Sequence, residues 1–128
     1  MILQPIIKLL ALTLIWWSSV NVEYAVAATD TRVINSGCSL INATNTDSFF
    51  SNVNETIAEL RGEIRNQSKH FDTSLKSKGD VNTYTMFQCR NYLSRNDCLA
   101  CINTASIQIR DICKIAKGAR IIYNDCFL

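Results

Sequence analysis

The 128-residue sequence has a single histidine, only four glycines and no stretch in which charge of one sign accumulates. Each scarcity closes off a line of chemistry. One histidine, His70, does not lie near the cysteines, so a mixed cysteine–histidine metal site has no second ligand type to draw on. It cannot serve a cysteine nucleophile either if every thiol is paired. The glycines are isolated, with no glycine-rich phosphate loop among them, and no kinase motif is present. A formal net charge of +2 is too mild for a nucleic-acid partner, because Lys69, Lys76, Lys78, Arg90, Arg95, Arg110, Lys114, Lys117 and Arg120 are scattered and form no dense run. Long apolar runs are missing as well. Leu9–Trp17 spans nine residues, too few for a bilayer that needs roughly 20.

That short run follows Lys8 and precedes the small residues Ala25, Ala27 and Ala28. A basic residue, a brief apolar stretch and an Ala-x-Ala site form a secretory signal peptide. Residues 1–28 are therefore expected to be removed, leaving Thr29–Leu128 as a soluble, secreted chain with no membrane span. All six cysteines fall after the leader. An even number in a short exported chain reads as a disulfide framework, and six cysteines allow fifteen pairings. A zinc or redox role for Cys98-x-x-Cys101 suits a cytosolic chain better than an exported one.

Two helices stand out by periodicity. Phe50, Val53, Ile57, Leu60 and Ile64 recur at intervals of three and four, with Thr46 or Asp47 as N-cap. Leu99, Ile102, Ala105, Ile109 and Ile112 repeat the pattern in a helix starting near Asn96 or Asp97. Strand character is predicted for the segment from Thr29 to Cys38, with a turn at Asn35-Ser36-Gly37, for Tyr84–Cys89 and for Ala119–Tyr123. Residues 76–82, around Gly79, read as a polar loop. Two helices mixed with short strands point to an α+β domain.

The cysteine spacing carries more information. Eight residues separate Cys89 from Cys98, two separate Cys98 from Cys101, eleven lie before Cys113 and twelve before Cys126, with Cys38 far upstream. Tyr84 opens the strand before Cys89, the words Leu93-Ser94-Arg95-Asn96-Asp97-Cys98 and Lys117-Gly118-Ala119-Arg120 follow, and Cys126-Phe127 closes the pattern. Together these resemble the ginkbilobin-like, stress-antifungal cysteine-rich domain of land plants, found also in cysteine-rich receptor-like kinases and plasmodesmata-located proteins. The resemblance implies a small disulfide-rich α+β fold, with two helices packed on an antiparallel sheet of about five short strands. It also implies the bridges Cys38–Cys113, Cys89–Cys98 and Cys101–Cys126.

By the same resemblance, a mannose site would use the residue after the first cysteine, here Ser39, and the arginine of Gly-Ala-Arg, here Arg120. The family's third position, a glutamate five residues past the last cysteine, falls beyond Leu128. Serine is shorter than the family's asparagine and lacks its amide fork, so weak mannose retention is expected. Glu55, Glu59 and Glu63, four apart off the apolar helix face, are expected to face solvent, as is His70. No catalytic residue, cofactor or metal is expected. Asn42, Asn54 and Asn66 head Asn-x-Ser/Thr sequons and are glycosylation candidates. The expected role is non-enzymatic: an apoplastic antifungal or stress protein binding a mannose-containing glycan or another cell-surface component. The alternative is an extracellular protein–protein interaction module without sugar binding.

Overall fold

The computed structural model describes residues 29–128, so the leader reading of residues 1–28 lies outside the described residues. The elements run β1 (Val33–Cys38), α1 (Thr46–Gln67), β2 (Phe71–Lys78), β3 (Val81–Cys89), α2 (Arg95–Cys113), β4 (Ala119–Tyr123) and β5 (Cys126–Phe127). The strands form one sheet in the order β1-β4-β5-β3-β2, and every pairing is antiparallel. Helix α1 lies over β2 and β3, while α2 lies over β4 and β5. This is the expected α+β domain of two helices on a five-stranded antiparallel sheet.

Helix α1 buries Ile57, Leu60 and Ile64 and half-buries Phe50 and Val53, as their spacing predicts. Its N-cap is Asn45 rather than Thr46 or Asp47. Asn45 keeps a non-helical backbone, and its side chain accepts from the Ser48 amide at 3.4 Å. Asp47 sits two residues too late to cap and instead places its charge in the first turn, beside the positive end of the helix dipole. Two polar side chains of the buried face anchor the helix to the sheet. Asn52 Nδ2 donates to the Val81 carbonyl at 2.9 Å, and Thr56 Oγ1 lies 2.7 Å from Thr85 Oγ1.

The polar segment 76–82 is not a loop. Strands β2 and β3 stay paired up to Lys78 opposite Val81, so only Gly79 and Asp80 turn the chain. Gly79 takes φ +62°, the left-handed conformation that a two-residue hairpin turn demands. The segment is polar because β2 is an edge strand, and its side chains find partners there: Ser77 Oγ donates to Asn82 Oδ1 at 2.6 Å, and Lys76 pairs with Glu59 of α1.

Helix α2 starts at Arg95, capped by Ser94, whose hydroxyl accepts from the Asp97 amide at 3.1 Å. Ile102, Ala105 and Ile109 are buried as predicted, but Ile112 is 42% exposed. Four residues after Ile109, Cys113 takes the inward position, and Ile112 swings to the rim.

The first strand begins at Val33, and the turn predicted at Asn35-Ser36-Gly37 is absent. Those residues pair with Ile122, Ile121 and Arg120 of β4, after a bulge that sets Ile34 aside. Turn-prone residues are tolerated here because β1 is an edge strand whose side chains are nearly all exposed.

The three bridges are Cys38–Cys113, Cys89–Cys98 and Cys101–Cys126, with Cα separations of 5.3, 5.7 and 6.2 Å. They coincide with the pairing that the family resemblance implies. The last two are embedded in the core with Leu60, Ile64, Phe87, Ile102, Ile121 and Tyr123. Closing loops of 75, 9 and 25 residues restricts the unfolded chain by about 4.5, 2.6 and 3.5 kcal/mol in the chain-entropy account. The bridge that contributes most by this measure is also the most accessible, because Cys38 is exposed. Limited reduction followed by alkylation and peptide mapping should therefore label Cys38 and Cys113 first, with Cys89, Cys98, Cys101 and Cys126 reacting only on unfolding.

Candidate ligand-binding surface

Strands β1 and β4 bring Ser39 and Arg120 to one surface. Gly37 pairs with Arg120, and the Ser39 amide donates to the Gly118 carbonyl at 2.8 Å. Residues two apart on a strand share a face, so the Ser39 and Arg120 side chains emerge on the same side as diagonal neighbours. The Arg120 side chain lies across Gly37. A Cβ there would come within 3.1 Å of Arg120 Nε, so this close approach suits glycine. Arg120 Nε donates to Asn35 Oδ1 at 3.3 Å, and the other guanidinium N–H groups have no protein partner among the described residues.

Ser39 is far less available. Its hydroxyl donates to the Ile41 carbonyl at 2.8 Å and accepts from the Gly118 amide at 2.9 Å. A hydroxyl has one proton and two lone pairs, so Ser39 retains a single acceptor site for any ligand. Its role is to staple the β1–α1 connection to the α2–β4 connection, alongside the Lys117 amide on Ile41 O and the Ala43 amide on Ile115 O.

Beside this rim a groove of about 450 Å³ opens between β3 and β4. Its floor is apolar, with Phe50, Val53 and Ile57 from α1 and Ile109 from α2. Four cations, Arg110, Lys114, Lys117 and Arg120, line it, and no acidic side chain does. Among the described residues no group of three or more histidine, cysteine or acidic side chains could hold a metal ion.

The other residues singled out by sequence are dispersed. His70 is half-buried rather than solvated, with Nε2 2.7 Å from the Leu93 carbonyl, linking the start of β2 to the approach of α2. Glu59 pairs with Lys76, and Glu63 pairs with Lys69 at 2.8 Å, so two of the three glutamates fasten α1 to the β2 side of the sheet. Asn42, Asn54 and Asn66 are all exposed. Asn54 Oδ1 accepts from Arg110, and Thr56, which completes its sequon, is buried.

A family whose description is salt stress response/antifungal matches residues 36–128. The chain belongs to that family. The match runs from β1 to Leu128, so it takes in the whole rim and groove. An antifungal ginkbilobin-like protein 1 from Picea glauca is 29% identical over 109 residues, covering 84% of this chain and 77% of the relative. Cysteine-rich repeat secretory protein 55 from Arabidopsis thaliana is 33% identical over 101 residues, 76% of this chain and 38% of the relative. The crystal structure of the tandem ectodomain of the Arabidopsis thaliana cysteine-rich receptor-like protein PDLP8 superposes with a TM-score of 0.68 at 26% identity, over 76% of this chain. This chain spans 47% of that tandem ectodomain. The family thus joins antifungal proteins to receptor-like ectodomains, and its members point to an extracellular location.

Sequence reasoning missed a second cluster, where the chain enters β1. The buried Asp125 accepts from the Asp30 amide at 2.6 Å and from Tyr92 Oη at 2.5 Å, which raises the Tyr92 hydroxyl above its usual range. Asp30 is held at a pKa of about 2, below its ordinary 3.8, mainly by hydrogen bonds from the Arg32 side chain and amide. The Asp30-x-Arg32 spacing was the only sequence signal for it. A depressed carboxylate supports the folded arrangement above pH 3.8 and loses that effect as pH falls through about 2. Carboxyl carbon titration by NMR should place Asp30 near 2, and Arg32→Ala should return it toward 3.8.

Proposed function

We propose that this protein is a secreted, non-catalytic plant defence or stress module that works in the apoplast by engaging a protein at a cell surface through the groove between β3 and β4. The observation that supports this is the composition of the groove: an apolar floor beside four cations and no acid. Apolar area supplies affinity, and a charged rim selects acidic partners and speeds encounter. Kinship with a receptor-like ectodomain supports the same reading. N-glycans at Asn42 and Asn66 would leave the groove open, since neither residue lines it.

A glycan reading has one observation in its favour. Arg120 offers unpaired guanidinium N–H groups to solvent, and such donors suit sugar hydroxyls. Ser39, with its proton committed to Ile41, adds only an acceptor. Mannose retention should therefore be weak and should depend on Arg120.

The two readings separate on treated cell surfaces. Binding of the purified protein to fungal and plant surfaces should be lost after protease treatment and survive periodate oxidation of glycans. A Lys117→Glu/Arg120→Glu variant should bind about tenfold more weakly or worse. Loss after periodate with retention after protease would replace the protein reading with the glycan one.

A further inference from the structure

Two arginines bridge the helices, and neither is paired with an acid. Arg61 of α1 donates from Nη2 to Ser106 Oγ of α2 at 2.7 Å. Arg110 of α2 donates from Nη2 to Asn54 Oδ1 of α1. The residue numbers run in opposite directions along the two helices, so they are antiparallel here and the contacts form two rungs. Counted along each helix, the rungs are about 6 to 10 Å apart at 1.5 Å of rise per residue. The four rung residues line a cavity of about 430 Å³, together with Ile57, Ile107 and Asp111. No strand residue lines it, so it is separate from the groove between β3 and β4, although Ile57 and Arg110 contribute to both.

The hydrogen bonding of the two guanidinium groups is incomplete. Arg61 and Arg110 each keep Nε buried with no hydrogen-bond partner among the described residues. Each gives one N–H to a neutral oxygen, and neither takes part in an ion pair among the described residues. A cation withdrawn from water is costly without a counter-charge, and a buried donor without an acceptor calls for a physical cause. A rung to a neutral oxygen does not by itself require a cation. An anion in the cavity answers both needs, because the planar guanidinium fork matches a carboxylate.

The rest of the lining selects among anions. Asp111 brings a negative charge of its own, which disfavours phosphate and sulfate dianions and accepts from hydroxyl groups. The Asn54 amide has its oxygen on Arg110 and keeps its NH₂ donors for a ligand. Ser106 gives its proton to the Asn103 carbonyl at 2.8 Å and retains one acceptor site. Ile107, 65% exposed, offers apolar surface to the C–H face of a sugar ring. A volume of about 430 Å³ suits a short saccharide better than a bare ion. One carboxylate, several hydroxyls and an apolar ring face together describe a hexuronic acid. An acidic peptide brings the carboxylate but not the hydroxyls that Asp111 and Asn54 would meet.

We propose that the cavity between α1 and α2 binds a hexuronate unit of an acidic saccharide. Arg61 and Arg110 hold its carboxylate, and Asp111 and Asn54 meet its hydroxyls. The site goes beyond the protein-binding groove and does not rest on it. It requires Asn54 to carry no N-glycan, in keeping with the bond of its side chain to Arg110 and the burial of Thr56 in its sequon.

Trigalacturonate and its methyl ester supply the probe. They are titrated into the oxidised, secreted protein while the arginine side-chain Nε–H signals are followed by NMR. The acid should shift the Arg61 and Arg110 signals saturably. The ester, with the same hydroxyls and no charge, should bind about tenfold more weakly or worse. Arg61→Gln should weaken trigalacturonate binding by about tenfold, with all three disulfides and the melting temperature retained. Asp111→Asn, at an exposed position, should lower the affinity for trigalacturonate and raise that for inorganic sulfate. A merely structural role would not produce that opposed change. Unshifted Nε–H signals, or equal binding of the methyl ester, would overturn the site. So would binding as tight by galactose 6-sulfate or by a glutamate-rich peptide, or an N-glycan found on Asn54 by mass spectrometry. Protease-sensitive surface binding that persists in Arg61→Gln leaves the groove reading standing whichever way the titration falls.

Discussion

Helix α2 carries one cysteine of every disulfide, and the rest of the domain is organised around that fact. Cys98 ties its first turn to the end of β3, Cys101 ties the next turn to β5, and Cys113 ties its last turn to β1. A helix holds residues three apart on one side, so Cys98 and Cys101 reach two strands that are themselves neighbours, paired Cys89 to Cys126. The two central cystines are completely or nearly completely buried, and they serve as core side chains as well as cross-links. In a chain with about 100 described residues, such links supplement a core that is modest by area alone.

The fastening is uneven, and its unevenness shapes the surface. At the β5 end, two cystines, the Asp125 cluster and the exchanged bonds of Ile121 and Leu128 knit strands and helix together. At the opposite end of β3 and β4, Phe50, Val53, Ile57 and Ile109 line the groove. The cations gather at this same end because α2 finishes with Arg110 and Lys114 and the turn to β4 adds Lys117 and Arg120. Basic residues that look scattered in sequence become one rim when a helix C-terminus and a strand start meet.

Several elements were legible because their causes are local. Ile57, Leu60 and Ile64 report α1 through the 3.6-residue period, and Ala119–Tyr123 reports β4 through β-branched composition. What misled was chemistry whose meaning depends on neighbours. Asn35-Ser36-Gly37 has the composition of a turn yet forms an edge strand, because β4 supplies its partners and Arg120 lies over Gly37. Polar Lys76 and Lys78 belong to a strand because α1 offers Glu59 and Ser51 to them. Ser39 is a ligand candidate by resemblance, and its hydrogen bonds to Ile41 and Gly118 could not be inferred without the fold.

By itself the sequence determined the class of molecule, a small disulfide-rich α+β domain, through an even set of cysteines at diagnostic spacings and two amphipathic helices. These follow from covalent spacing and local periodicity, which do not depend on what lies across the domain. Tertiary structure alone decided what the surface can do. Whether Arg120 is free and whether Ser39 has a proton to give are questions of registry between segments about 80 residues apart. Local composition does not carry that information, because the donors and acceptors that a side chain keeps free depend on which distant backbone groups it meets.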